Sequence, residues 1–205
     1  MKPLLLGSKS FSRKMLLDQA QIPYIVVPQD ADEMVCDWTL PLEQAVASIA
    51  RHKMDHVILP DGLADQETCF VLTADTLSID ARGMLNGKPV DRNDAIEKIR
   101  RNRGKTHRLA TAFCVDRRVW LNGSWQVQHR IEDVISAEYQ FDIPDEWIDE
   151  YLEKSMGMLA SGAVAVELYG AQFLRYVHGS YSTIIGLPMY EVREALTSLG
   201  FFKKD

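Results

Sequence analysis

The segment "LLLGSKSFSRKMLL", Leu4–Leu17, carries hydroxyl groups and cations between two apolar runs. The first run has the length of a buried strand and the second repeats at helical spacing, so the polar residues fall at a strand-to-helix junction. Free N–H groups and the helix dipole favour an anion at such a junction. The side chains available there to hold a phosphate chain are Ser8, Ser10, Arg13 and Lys14. An N-cap serine followed by a solvated basic turn is the alternative.

Two further stretches offer a carboxylate and another cation. In "LTADTLSID", an apolar strand delivers Asp75 and Thr76 at its end, where open α/β sheets bind ligands. An aspartate there can bind a metal ion or act as a base, and a turn-forming or capping aspartate is the alternative. In "NGKPVD", Gly87 and Pro89 stiffen a loop around Lys88, whose ammonium then projects from a fixed point. An ordinary surface lysine is the alternative there.

The elements that must position these residues alternate between strands and helices. Strands are predicted over Leu4–Leu6, Tyr24–Val27, Cys69–Ala74, Leu77–Ile79 and Met84–Leu85, with a turn at Asp80–Gly83 between the last two. Helices are predicted within Pro41–Ile58, Asp91–Arg101, Pro144–Glu153 and Pro188–Leu199. The Asn122-Gly123 pair predicts a hairpin between Arg117–Leu121 and Trp125–His129, which makes the second half partly antiparallel. A polar loop is expected over Asp61–Glu67, and "HGSYSTIIGLP" is suited to lining a cleft or is an ordinary loop. The alternation predicts an α/β fold.

Composition limits the class of protein and its partners. The 205 residues are 46% hydrophobic and 25% charged, enough for one domain or one domain with two lobes. The net charge of -6 argues against a nucleic acid polymer as a partner but allows a local basic pocket. No signal peptide or membrane-length apolar run is visible, so we expect a cytoplasmic protein without a membrane partner. Three scattered cysteines fit reduced thiols.

Other kinds of site find weaker support. His52 and His56 lie four residues apart on a predicted helix, but "HKMDH" lacks the glutamate that follows the first histidine in metallohydrolases of that pattern. No nucleophile elbow, Walker loop or dinucleotide fingerprint is present. The remaining histidines are isolated in the sequence. A zinc site or a nucleophilic serine is therefore not expected.

Seven pieces taken in order resemble one family over nearly the whole chain. They are "LLLGSKSFSRKMLL", "QDADE", "ARHK", "LTADT", "NGKP", "RGKTHRLATAFCV" and "GSYSTIIGLP". This pattern resembles the Maf nucleotide pyrophosphatases, once described as septum-formation inhibitors. The resemblance implies a single domain over residues 1–205, with an elongated mixed sheet flanked by helices and a central cleft between two lobes, often as a homodimer. It also implies cleavage of nucleoside triphosphates to monophosphate and pyrophosphate with a divalent cation such as Mg²⁺, Mn²⁺ or Co²⁺.

The resemblance also implies roles for individual residues. Ser8, Arg13, Lys53 and Lys88 would hold phosphates, Glu33 and Asp75 would handle metal and water, and Thr76 would support Asp75. These residue types suit the reaction, because attack on a phosphate anhydride needs cations to offset charge and a carboxylate to orient or deprotonate water. Magnesium keeps several waters and needs only one or two protein carboxylates.

The chain departs from the family pattern at positions that concern recognition of the nucleotide base. Phe11 and Ser12 stand where the family has proline and a basic or aromatic residue, and Leu159–Gly162 replaces a "DKAG"-like segment. Glu167 stands where the branch that resembles thymidine and uridine triphosphatases has glutamine. An ionised glutamate only accepts hydrogen bonds, which suits the N1–H and N2 donors of guanine. The branch acting on 7-methylguanosine triphosphate is similar in carrying glutamate here.

Three functions therefore stay open at this stage. We expect a pyrophosphatase for a guanine-type nucleotide such as 7-methyl-GTP, with Glu167 as a base-binding residue. A dTTP/UTP pyrophosphatase of the same family is the first alternative. A non-catalytic nucleotide-binding regulator of cell division is the second. A Glu167 side chain that faces solvent or pairs with a cation would remove the argument for guanine.

Overall fold

A computed structural model describes residues 2–60 and 67–203. The polar loop expected over Asp61–Glu67 lies outside these residues except for Glu67. In the described part of the chain the strands are β1 (Leu4–Leu6), β2 (Tyr24–Val26), β3 (Thr68–Ile79), β4 (Thr106–Leu121), β5 (Ser124–Phe141) and β6 (Leu174–His178). The α-helices there are α1 (Phe11–Gln19), α2 (Leu42–Asp55), α3 (Arg92–Asn102), α4 (Ile148–Lys154), α5 (Tyr181–Ile185) and α6 (Met189–Ser198).

The strands form one mixed sheet in the order β2-β1-β3-β4-β5-β6. Strand β1 pairs in parallel with β2 and β3, whereas β5 pairs antiparallel with β6. Helices flank this open sheet, so the predicted α/β class is confirmed. The turn at Asn122 and Gly123 joins β4 and β5, and both residues have positive φ angles of 52° and 80°, as a tight hairpin turn requires.

The chain divides into two compact units. The first comprises Met1–Asp75, Thr111–Ile135 and Gly186–Asp205, and the second comprises Thr76–Ala110 and Ser136–Ile185. The core of the first unit includes a buried cluster of Leu5, Val27, Met54, Cys69, Val71 and Cys114. The single two-lobed domain with a central cleft stays a prediction.

The end of β1 depends on a glycine. All three residues of β1 are buried, as expected for a strand with parallel neighbours on both sides. A Cβ atom at Gly7 would lie 2.8 Å from Cγ2 of Thr73 and 2.9 Å from Cγ2 of Val57. Glycine therefore allows the chain to leave the sheet at this point and to reach the start of α1.

Several elements differ from the predictions in length. Strand β3 is continuous from Thr68 through Asp75 to Ile79, and the hairpin strands β4 and β5 are much longer than the two five-residue runs. The segment Met84–Leu85 is not a strand, and Leu85 forms only an isolated antiparallel bridge with Ile79. Strand β6 and helix α5 were not predicted. Both are five residues long and lack a clear apolar period. Strand pairing and tertiary packing therefore determine their secondary structure.

The turn after β3 is organised by one carboxylate. The Asp80 side chain accepts hydrogen bonds from the backbone N–H groups of Arg82 at 2.8 Å and Met84 at 3.0 Å. It also accepts from the Arg82 guanidinium at 2.9 Å. Burial acts to raise the pKa of Asp80, but the bonds from Met84 and Arg82 outweigh it and lower the pKa to about 2. The predicted turn at Asp80–Gly83 is confirmed, and it leads into the segment that carries Lys88.

We expect Asp80→Asn to lower the free energy of unfolding at pH 7 by about 1–2 kcal/mol, because charge-assisted bonds are replaced by neutral ones. The folded-state pKa of Asp80 lies below the ordinary value of 3.8, so its stabilisation is complete above that pH and fades as the pH falls towards about 2. Urea titrations from pH 7 to pH 2.5 measure the difference, with the exposed Asp133→Asn as control. A difference that stayed constant with pH would contradict the assignment.

Candidate active site

The hydroxyl groups after β1 are arranged around Arg13. The Ser10 side chain is the N-cap of α1 and accepts the Arg13 backbone N–H at 3.4 Å. The Ser8 hydroxyl accepts from the Ser10 backbone N–H at 3.3 Å and from Nη1 of Arg13 at 3.1 Å. Lys14 is half-buried in the first turn of α1. Ser10 is therefore an N-cap, as the alternative has it, but the basic turn after it is not solvated, because Arg13 is buried. Phosphate binding by these residues stays a prediction.

Arg13 is a buried cation with a fixed direction. Its Nε donates to the backbone oxygen of Gly186 at 2.8 Å. Burial lowers the pKa of Arg13, while the charges of Asp75 and Glu33 act to raise it, so both carboxylates lie close enough to influence the guanidinium. An arginine keeps its charge under such conditions. The Gly186 contact was missed from the sequence, although Gly186 lies in the "GSYSTIIGLP" segment.

We expect Arg13→Lys to lower the free energy of unfolding by about 1.5–3 kcal/mol and to reduce kcat/KM. An ammonium cannot donate to Gly186 and Ser8 with the fork geometry of a guanidinium. Chemical denaturation and steady-state kinetics measure the two effects, and Arg101→Lys at an exposed position of α3 is the control. Wild-type stability and activity in Arg13→Lys would show that the fork is unimportant.

Lys53 joins two carboxylates in the same unit. It lies in the last turn of α2, and its Nζ is 2.5 Å from Oδ1 of Asp75 and 2.8 Å from Oε1 of Glu33. Arg13, Lys53 and Asp75 are each 9% exposed. The Thr73 hydroxyl donates to the backbone oxygen of Ala50 at 2.8 Å and thereby fastens α2 to β3 next to the ion pair.

Glu33 is held by a short 3₁₀ helix, Glu33–Val35. The Asp32 side chain caps it by accepting the Met34 N–H at 2.9 Å. Nε2 of His52 lies 3.1 Å from the backbone oxygen of Asp32, and because a carbonyl only accepts, this nitrogen carries the proton. His52 therefore supports the turn that carries Glu33. The turn also brings Cys36 near the site, where burial and the charges of Glu33 and Asp75 raise the pKa of its thiol.

Glu33 and Asp75 fit a divalent cation. Both carboxylates reach one common atom, the Lys53 ammonium, so they already converge on a cationic position. Two carboxylates with water satisfy a magnesium ion. Among residues 2–60 and 67–203, no group of three or more histidine, cysteine or acidic side chains could hold a metal ion.

The other predicted site residues belong to the second unit. Thr76 follows Asp75 in β3. Adjacent strand residues project from opposite faces of the sheet, so the strand alone does not bring the Thr76 side chain to Asp75. The supporting role of Thr76 stays a prediction. Lys88 is exposed in its loop. Glu167 is only 6% exposed, so the solvent-facing alternative is wrong. Burial and then the Glu167 charge raise the pKa of Tyr181, which places the tyrosine within electrostatic reach of the carboxylate.

Comparisons with known proteins identify the family of this chain. The family described as Maf-like protein matches residues 3–199, and the chain belongs to this family. A dTTP/UTP pyrophosphatase of Dechloromonas aromatica (strain RCB) is 33% identical over 97% of this chain and 98% of its own length. A second dTTP/UTP pyrophosphatase, of Caldicellulosiruptor bescii, is 29% identical over 98% of this chain and 96% of its own. A nucleoside triphosphate pyrophosphatase of Rickettsia typhi is 28% identical over 99% and 86%.

None of the helices in the described residues is long and apolar enough to cross a membrane.

Proposed function

We propose that this chain is a metal-dependent nucleoside triphosphate pyrophosphatase that releases a nucleoside monophosphate and pyrophosphate. The observation that carries the proposal is the buried Lys53 ammonium between Glu33 and Asp75, with the Arg13 guanidinium within electrostatic reach of both carboxylates. The names of relatives that match almost the full chain support the same reaction. A cytoplasmic location and a homodimer belong to the proposal as expectations.

Asp75 is the group that acts on water in this proposal. Its carboxylate accepts a proton from the attacking water as the new P–O bond forms and the bridging P–O bond breaks, and pyrophosphate leaves with the electron pair. Lys53 donates to Oδ1 of Asp75, and Oδ2 is the oxygen that takes the proton in this proposal. A divalent cation held by Glu33 and Asp75 would offset the charge that develops on the phosphates.

The cations of the site act on the triphosphate. Arg13 offers a planar fork that Gly186 and Ser8 hold in place, whereas Lys53 and Lys88 offer point charges. Ser8, Ser10 and Lys14 line the start of α1, where the helix dipole also favours an anion. The predicted grip on phosphate is therefore electrostatic, and binding should weaken as salt increases.

Release of pyrophosphate from a panel of canonical and modified nucleoside triphosphates, with and without Mg²⁺ or Mn²⁺, tests the proposal. We expect metal-dependent turnover that yields pyrophosphate rather than orthophosphate. Nucleotide binding without turnover under any metal would overturn the proposal and favour the non-catalytic regulator.

Two candidates for the base have separate support. The names of the Dechloromonas and Caldicellulosiruptor relatives favour dTTP and UTP. The buried Glu167 favours a guanine-type nucleotide such as 7-methyl-GTP, because a carboxylate accepts hydrogen bonds and guanine presents two donors on one edge. A pyrimidine presents both acceptors and a donor there, which an amide matches better. The acid at position 167 is thus the feature on which the choice depends.

We expect Glu167→Gln to shift the preference towards dTTP and UTP by about 10-fold or more relative to GTP and 7-methyl-GTP. A site that accepts from two donors rejects a base that lacks them, and the amide removes this rejection. Ratios of kcat/KM across the four nucleotides measure the shift, and Glu146→Gln at an exposed position is the control. If wild type and variant both prefer dTTP or UTP by the same ratio, Glu167 does not contact the base, and the pyrophosphatase assignment stands.

A further inference from the structure

Three buried polar side chains in the second unit form a hydrogen-bonded series that ends beside Lys88. We call Asn86, Asn102 and His107 the polar bridge. They are 7%, 4% and 1% exposed, respectively. Buried polar groups are costly unless they are paired, so the hydrogen bonds of this series favour one arrangement of its members, although Nδ1 of His107 has no partner among the described residues.

The bonds within the polar bridge have a defined direction. Nε2 of His107 lies 2.9 Å from the backbone oxygen of Asn102, and because a carbonyl only accepts, this nitrogen donates. Nδ2 of Asn102 donates to Oδ1 of Asn86 at 3.3 Å. The His107 ring stacks on Tyr139 with centroids 5.5 Å apart, which fixes its plane. The end of α3 is thereby tied to the loop after β3.

Backbone contacts complete the hold on this loop. The Asn86 N–H donates to the Ser78 oxygen at 2.8 Å, and the Gly162 N–H donates to the Gly87 oxygen at 3.0 Å. Gly162 has a φ angle of +67°, and a Cβ atom there would lie 3.3 Å from Cγ of Asn86. Asn86 and Gly87 are therefore fixed from the strand, from α3 and from the segment around Gly162.

We propose that the polar bridge is a positioning device for Lys88. This inference rests on the proposed function, in which Lys88 holds phosphate. No hydrogen bond or ion pair within the described residues holds the Lys88 ammonium, so its reach is set by where the backbone places its Cα atom. The polar bridge fixes the backbone at Asn86, two residues before Lys88, and thereby sets the position of the Lys88 Cα atom. A misplaced binding group can reduce catalysis strongly even when the group itself is intact.

A double-mutant cycle tests the proposal. We expect Asn102→Leu to lower kcat/KM for the preferred nucleoside triphosphate by about 10-fold, because it removes the donor to Asn86. In a Lys88→Gln background the same substitution should leave kcat/KM unchanged, while the loss in thermal midpoint is equal in both backgrounds. Asn93→Leu makes the same chemical change on the exposed face of α3 and is the control for both readouts.

Equal losses of activity in the two backgrounds would show a merely structural role and overturn the proposal. If Lys88→Gln alone keeps wild-type activity, the phosphate role of Lys88 fails, and the positioning role fails with it. Should Asn102→Leu not fold, Asn102→Ala replaces it in the same cycle. His107→Gln, which keeps a donor, should retain more activity than His107→Phe.

Discussion

We expect Asp75→Asn to lower kcat by about 10²–10⁴-fold, the usual effect of removing a general base, and to leave nucleotide affinity nearly unchanged. The amide keeps the size of the side chain and can still accept the hydrogen bond from Lys53. It can neither take a proton from water nor bind a divalent cation with a full negative charge. Steady-state pyrophosphate release at saturating metal and nucleotide measures kcat, and equilibrium binding of a non-hydrolysable nucleotide measures affinity.

Asp18→Asn is the matched control, because Asp18 lies on the exposed part of α1, where its side chain accepts a hydrogen bond from the Tyr24 hydroxyl. It should behave as wild type in both assays. Near-normal turnover by Asp75→Asn would show that Asp75 is not the general base, and Glu33 would then be the candidate for that role.

Lys53→Met is expected to act in opposite directions on two measurable quantities. It removes the ammonium between Glu33 and Asp75, so the two carboxylates lose their shared partner and form a stronger cation site. Affinity for Mn²⁺ without nucleotide should rise by about 10-fold. Catalytic efficiency should fall by about 10²-fold, because one of the groups that offsets phosphate charge is gone.

Calorimetric titration with Mn²⁺ and pyrophosphate-release kinetics provide the two values. Lys98→Met is the matched control, since Lys98 also pairs with a carboxylate, Asp94, on a helix outside the proposed site. A fall in both metal affinity and activity would indicate that Lys53→Met damages the fold of the site rather than its charge balance. Unchanged activity would exclude Lys53 from phosphate binding.

The sequence predicted the parts of the fold that have strong local signals. Apolar runs located β1 and β3, a capped start located α3, and the Asn122-Gly123 pair located the hairpin turn. Amphipathic periodicity located α2, and a proline at the helix start located α6. Strand β6 escaped because its charged and aromatic residues have no clear alternation, and its pairing with the end of β5 decides its structure. The continuity of β3 through Asp75 was not predicted, because polar residues in the second half of the strand resemble a strand end.

For the candidate site, the sequence predicted residue types but not their mutual contacts. Arg13, Lys53 and Asp75 were identified from motif positions, and the structure brings the charges of all three into one unit. That Lys53 joins Asp75 to Glu33 required the packing of α2 on β3, which no local pattern encodes. The polar bridge was also invisible, because isolated asparagines have no periodic signal.

The bond from Arg13 to the Gly186 oxygen has a consequence for the order of synthesis and folding. The two residues are 173 positions apart, so Gly186 is added to a growing chain roughly 9–35 s after Arg13 at a synthesis rate of about 5–20 residues per second. During that interval the guanidinium lacks this acceptor, while Ser8 is available to it nearby in the sequence. Contacts of such long sequence separation form late, because the loop between them must close first. The surroundings of Arg13 are therefore complete only once residue 186 has been added, and a nascent chain that stops before it carries Arg13 without this orienting bond.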